Sequence, residues 1–264
     1  MTTSLSVTSS TAADAAGAVA QVVASLPVSL RHADGPGDLV AVAGGPGWPQ
    51  EAEEALGAGA RGIMVIDPVA ADVAALRERA RAQGAPVGVD ATWTYTPAVR
   101  AGADAFARLD GPDSLVEARV DVPVGSDLER VLLAQLALVR AAVGPVADLA
   151  FARRDAHGYD ALADLASGAR GSLTAVLSGA LPSAATVRVV RPRSAAALRV
   201  PAPLAATPGA VVVSGEEGAT LLPTQWETAH RAAWRRLHHL VETGGMSDDL
   251  DGFAEDVALV RGAQ

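Results

Sequence analysis

The feature that most constrains this chain is a change of rhythm near Ser114. Before it, short apolar runs alternate with alanine-rich stretches of helical period, the pattern of βαβ units around a parallel sheet. The spacing predicts a strand over Leu5 to Thr8, a helix from Ala12 to Ser25 with Asp14 in its first turn, and a weaker strand over Val28 to Leu30. Leu39 to Ala43 reads as a buried strand that runs into Gly44-Gly45-Pro46-Gly47-Trp48-Pro49, a turn that cannot be helical. A helix over Glu51 to Leu56, a strand over Ile63 to Ile66 stopped by Asp67-Pro68, a helix over Ala70 to Gln83 closed by Gly84, a strand over Val87 to Val89 and a helix from Ala98 towards Phe106 complete this half.

From Ser114 the pattern becomes long strands with little helix between them: Leu115 to Val122, Val146 to Arg153, Tyr159 to Leu165, Ser172 to Leu177, Thr186 to Val190, Leu198 to Val200 and Val211 to Ser214. One helix, Leu128 to Val143, interrupts them, and two helices, Trp226 to Glu242 and Asp248 to Val260, close the chain. The pattern therefore predicts an α/β domain around a parallel sheet over 1–110, followed by an α+β domain over 111–264 with a mostly antiparallel sheet. The closing helices are free to pack back on the first domain.

Composition limits the chemistry. There is no lysine, no cysteine and no asparagine, and all 21 basic side chains are arginine. A Schiff-base lysine, a thiolate nucleophile and a cysteine-ligated metal are excluded. A formal charge of −9 without clustered cations argues against a nucleic-acid partner. No apolar window approaches the roughly 18 residues that span a bilayer, so a membrane role is not expected and a cytoplasmic protein is.

Several groups are candidates for a site, each with a plainer alternative. Gly44 and Gly45, with Trp48 beside them, follow a strand end, where open α/β sheets bind ligands; they equally make a tight turn. Trp93 and Tyr95 also follow a strand end, and either stack on a ligand or pack. His157, Tyr159 and Asp160 form a polar knot suited to proton transfer or to an exposed β-turn. His238 and His239 are adjacent on a helix and point apart, with His230 about two turns earlier, so no metal site is expected. Trp226, Trp234 and Leu237 are expected to form the buried stripe of that helix. Where a dinucleotide-binding unit needs glycines, this chain has Thr8-Ser9-Ser10-Thr11-Ala12-Ala13-Asp14, whose side chains crowd the approach and whose Asp14 adds negative charge.

The run Asp38 to Ala43, then Glu51 to Leu56, Ala58-Gly59 and Gly62 to Pro68, resembles a strand, helix and E-K-P strand end of the Gfo/Idh/MocA oxidoreductases. Val87 to Val89 through Trp93-Thr94-Tyr95-Thr96-Pro97-Ala98-Val99-Arg100 is similar to the family's next strand and aromatic-proline segment. Gly168 to Leu173, Gly215 to Leu221 and the closing helices fit as well, so the resemblance covers about Asp38 to Val260.

The resemblance implies a Rossmann domain that holds NAD(P), and a second domain whose open sheet closes a sugar site and mediates oligomerisation. It also shows what has changed. The position of the E-K-P lysine falls on Asp67, the loop histidine on Trp48, the catalytic histidine near Ala134 or Gln135 and its aspartate near Arg130. Too few residues precede Asp38 for three strands and two helices, so a βα unit is either missing or compressed.

The expectation is a protein that keeps this fold without hydride transfer: a binding, scaffolding or regulatory subunit with no cofactor, forming a homo-oligomer or a heteromer with a related oxidoreductase subunit. An NAD(P)-dependent sugar or polyol oxidoreductase that has relocated its acid/base to Asp67, Tyr95, His157, Tyr159 or Asp160 is the alternative. A third reading is a sensor binding a small sugar in the crevice near Trp48 and Trp93.

Overall fold

The computed structural model describes residues 4–33, 35–202 and 207–263. Its chain order is β1 (Leu5–Ser9), α1 (Thr11–Gly17), α2 (Val19–Ala24), β2 (Leu30–His32), β3 (Leu39–Ala43), α3 (Trp48–Gly57), β4 (Gly62–Ile66), α4 (Ala74–Gln83), β5 (Val87–Asp90) and α5 (Pro97–Leu109). Then follow β6 (Leu115–Val122), α6 (Leu128–Ala142), β7 (Val146–Asp155), β8 (Gly158–Leu165), β9 (Arg170–Leu177), β10 (Ala184–Arg191), β11 (Ser194–Pro201), β12 (Ala210–Gly215), β13 (Gly218–Leu221), α7 (Ala229–Thr243) and α8 (Asp249–Gly262).

The contacts divide the chain into two compact units. The first holds residues up to Thr92 together with His230–Glu255, so α7 and the first half of α8 belong to it. The second holds Trp93–Ala229 and the chain from Asp256. Helix α5, placed before residue 110 by chain order, belongs to the second unit because it packs on β10, β11 and β12.

In the first unit five parallel strands lie in the order β2-β1-β3-β4-β5. Strand β1 lies in the interior of this sheet, between β2 and β3, and β2 forms its edge. Burial on both faces explains the unbroken apolar run Ile63 to Ile66 of β4 and the apolar Val87 and Val89 of β5, which ends on the buried Asp90.

Helix formation departs from expectation at several places, among them α4, which starts at Ala74 and not at Ala70. The helix expected from Ala12 to Ser25 is two short helices, because Asp14 Oδ1 accepts the Ala20 N–H at 2.6 Å while Ala18 turns left-handed at φ 48°. Trp48 and Pro49 open α3 rather than a turn, since a first-turn proline lacks only an N–H that would go unpaired there. Val28 is exposed, because the chain is still turning through Leu30 N–H to Leu26 O at 2.8 Å, and the strand starts at Leu30.

The second unit is an eight-stranded sheet in the order β13-β12-β11-β10-β6-β9-β8-β7, antiparallel except for β6 against β9. Alternating burial along β6 and β8 shows one face packed and one exposed. Helix α6 lies on the packed face, with Asp127 accepting the Glu129 N–H at 2.9 Å as its cap. Strand β13 escapes sequence reading because all four of its residues are exposed and leave no alternation. Trp226 is 78% exposed and precedes α7, so only Trp234 and Leu237 of the expected stripe are buried. No helix among the described residues is long and apolar enough to cross a membrane.

Candidate functional site

Strands β3, β4 and β5 end side by side, Ala43 paired with Ile66 and Ile66 with Asp90. Beyond these ends Gly44 donates to Ile66 O at 2.8 Å and Val69 N–H donates to Gly44 O at 2.7 Å. A Cβ on Gly44 would lie 2.3 Å from Pro68 Cα, so only glycine lets the two loops close on each other. Trp48, fully buried and edge-on to Phe253, fastens the same loop through Nε1 to Val69 O at 3.0 Å. Together these contacts hold Asp67 on a rigid platform.

Asp67 N–H continues the sheet by donating to Asp90 O at 2.9 Å, after which its backbone turns left-handed at φ 49°. Thr92 does the same at φ 49°, and its Oγ1 donates to Asp67 Oδ1 at 3.2 Å. A left-handed conformation is tolerable for aspartate but costly for a β-branched residue. His230, at the start of α7, brings Nδ1 to 2.5 Å from Asp90 Oδ2. Asp90 and His230 are 1% and 4% exposed, so this is a buried pair. Burial works against the charged imidazole, but Asp90 beside it and Asp67 nearby more than offset that and raise the His230 pKa. The other oxygen of Asp90, Oδ1, is buried without a hydrogen-bond partner among the described residues.

The result is a cluster of two carboxylates, an imidazole and a hydroxyl at the carboxyl end of a parallel sheet, where such sheets bind ligands. Of the catalytic candidates read from the sequence, only Asp67 belongs to it. Asp90 closes an apolar strand with an acid, which is a faint signal; Thr92 gives none; His230 was weighed only as a metal ligand, and it lies 140 residues from its partner. Among the described residues no group of three or more His, Asp or Glu is placed to hold a metal ion.

The remaining candidates have other placements. Gly45 has nothing near it that a side chain would meet. Trp93 is buried and Tyr95 half-buried in the segment before α5. His157 sits exposed in the β7–β8 turn, its N–H donating to Asp155 Oδ1 at 2.8 Å. Tyr159 is fully buried, donates to Gln135 Oε1 at 2.6 Å, and burial pushes its hydroxyl pKa up. Asp160, the next residue on the strand, points to the opposite face. There Arg153 and Thr174 hydrogen-bond its carboxylate and hold its pKa down. These three side chains do not converge.

Gln135, near the position of the resembled family's catalytic histidine, is fully buried. Its Nε2 donates to Ala118 O at 2.9 Å and Thr174 O at 3.3 Å, fastening α6 to the sheet.

A dinucleotide would bring its pyrophosphate to the loop after β1. Ser10 Oγ there accepts the Ala13 N–H at 3.2 Å, α1 lasts only seven residues, and Asp14 places a carboxylate in the first turn. Side chains occupy the cradle that glycines would leave open, and the residues present do not fit that group.

The helix-flanked parallel sheet and the second, mostly antiparallel eight-stranded sheet make a two-sheet fold shared with solved oxidoreductase structures. The chain matches no protein-family model and no curated protein. Among solved structures it is similar to KijD10, a 3-ketoreductase from Actinomadura kijaniata in complex with NADP, with a TM-score of 0.68, 17% identity, and coverage of 98% of this chain and 89% of that one. It is similar also to GnnA, a UDP-N-acetylglucosamine 3-dehydrogenase from Acidithiobacillus ferrooxidans, with a TM-score of 0.67, 13% identity and coverage of 99% and 97%. A protein from Desulfitobacterium hafniense assigned as an NADPH-dependent oxidoreductase gives a TM-score of 0.75 at 11% identity, covering 98% and 94%. At such identities the likeness is one of fold.

Proposed function

We propose that this chain is a Gfo/Idh/MocA-like protein that has given up hydride transfer and acts as a binding or scaffolding subunit, as a homo-oligomer or beside a related active oxidoreductase. The observation that carries this reading is the loop after β1. Its first helix is capped by its own Ser10 and carries Asp14, an arrangement that disfavours a pyrophosphate. Two further placements support it. Where the resembled family has a lysine stands Asp67, bound to Thr92, and near its histidine stands Gln135, committed to the sheet and to Tyr159. The exposed face of the eight-stranded sheet carries Leu115 and Leu162, at 62% and 63% exposure, which suit a protein contact.

The test is turnover. The purified chain is expected to oxidise no sugar or polyol with added NAD(P), and to show no saturable quenching or enhancement of NADPH fluorescence; either activity would remove the proposal. One observation favours a second reading, an NAD(P)-dependent oxidoreductase with a relocated acid/base: the Asp67, Asp90 and His230 cluster. The same assay separates the two.

A further inference from the structure

The eight-stranded sheet of the second unit ends on β7 at one side and on β13 at the other, and the two edges are built differently. An open strand edge presents unpaired N–H and C=O groups, and proteins blunt such edges with charge, proline or bulges. Strand β7 has these devices: its register against β8 shifts at Val146/Asp148 and at Phe151/Arg153, and it carries Asp148, Arg153, Arg154 and Asp155. Strand β13 has none of them. No residue from Gly218 to Trp226 is charged, the register against β12 is unbroken, and proline comes only at Pro223, after the strand. On this stretch Leu221 and Trp226 are 60% and 78% exposed.

The hairpin fixes which backbone groups are open. Leu222 N–H donates to Val211 O at 2.9 Å, and bonding alternates from there, so Thr220 and Gly218 bond inward to Val213 and Gly215 while Ala219 and Leu221 aim their N–H and C=O outward. A strand laid antiparallel on this edge must bond those two residues, and β13 of a second copy does so in a register centred on Thr220. Ala219 then faces the second copy's Leu221, and Leu221 its Ala219, each pair exchanging two hydrogen bonds with the two threonines side by side between them. Small meets large on the same face, and the acidic turn Glu216-Glu217 lies opposite Thr224 and Pro223 instead of its own acids. Centring on Ala219 would set Leu221 against Glu217, and centring on Leu221 would set Ala219 against Pro223, which has no N–H. We propose that β13 is the docking edge for a second copy of this chain, paired antiparallel about a two-fold axis at Thr220. The inference deepens the homo-oligomer side of the proposed function and rests on it.

A ladder this short belongs to the small class of interface, below about 1,200 Å² in total, so the association is weak. Sedimentation velocity of the full-length protein from about 5 μM to about 1 mM is expected to pass from monomer to dimer. Ala219→Pro removes an outward N–H without touching the bonds to β12, and Leu221→Lys puts a charge on the edge. Each, with circular dichroism unchanged, is expected to raise the dimer Kd about 10-fold or more. Leu162→Lys, on the exposed face of β8, is expected to leave it unchanged. Hydrogen-exchange protection of the Ala219 and Leu221 amides should rise with protein concentration. An association unchanged by Leu221→Lys or by a folded Ala219→Pro, or lost in Leu162→Lys, overturns the inference, moves the contact to the sheet face and leaves the homo-oligomer reading standing. A chain that stays monomeric to about 1 mM overturns both and leaves the edge to a different protein. Saturable NADPH binding by an intact dimer removes the subunit reading and keeps the pairing.

Discussion

His230 is paired in the first unit with the buried carboxylate of Asp90, and this couples folding to pH. Its pKa is raised in the folded chain, so the stabilisation it provides is fully present below the unfolded value of about 6.5 and is lost as pH rises through the folded one. Unfolding midpoints in denaturant are expected to fall as pH increases above about 6.5, and a His230→Ala chain should lack this step. Removing the imidazole leaves Asp90 as an unpaired buried charge, so the same variant should lose about 3 to 5 kcal/mol near neutral pH. A pH-independent difference between the two proteins would refute the coupling. Little of this was visible in the sequence. Asp67 stood out because it follows a strand and replaces a lysine in a resemblance, whereas nothing local ties Asp90 to a histidine 140 residues later.

Helix α6 and the sheet beneath it show how one polar side chain can fasten two elements. Gln135 bonds β6 through Ala118 O, β9 through Thr174 O and β8 through the Tyr159 hydroxyl. Tyr159→Phe strands the Gln135 carbonyl in the core and should cost about 1 to 3 kcal/mol, while Gln135→Leu strands the Tyr159 hydroxyl, removes both bonds to the sheet and should cost more. A double-mutant cycle should give a favourable coupling of about 1 kcal/mol or more between the pair; additive losses would show that the bond contributes nothing.

The split between α1 and α2 is a second case. Ala18 at φ 48° occupies a conformation costing about 1 kcal/mol or more, so Ala18→Gly is expected to stabilise by up to about 1 kcal/mol in denaturant melts. An unchanged or lowered midpoint would count against that strain. The sequence pattern ran one helix through this point because alanine signals helix. The break comes from Asp14 capturing the Ala20 N–H, a contact that periodicity does not encode.

For the molecule as a whole, the last segments complete the first unit. Leu237 and Val241 of α7 crowd Gly62 of β4, Asp249 Oδ2 accepts the Val89 N–H at the edge strand at 3.1 Å, and Asp251 pairs with Arg77 and Arg81 of α4. A chain ending at Ala229 would uncover apolar β4, take His230 from the Asp90 carboxylate and take Asp249 from the Val89 N–H at the β5 edge. It is expected to lose cooperative unfolding of the parallel sheet and to be cleaved in residues 4–92 by limited proteolysis. Retention of the full-length melting transition would refute this.

The amino-acid sequence by itself determined most of the elements and their two kinds of sheet. Period-2 and period-3.6 patterns arise from which face of a strand or helix is buried, and burial is written into consecutive residues. It also determined that no lysine or thiol chemistry is possible. Tertiary structure alone decided that β1 lies inside its sheet with β2 at the edge, that α7 joins the first unit, and that Asp67, Asp90, Thr92 and His230 meet. Those outcomes depend on contacts between distant segments, whose free energies compete across the whole fold and leave no local periodicity to read.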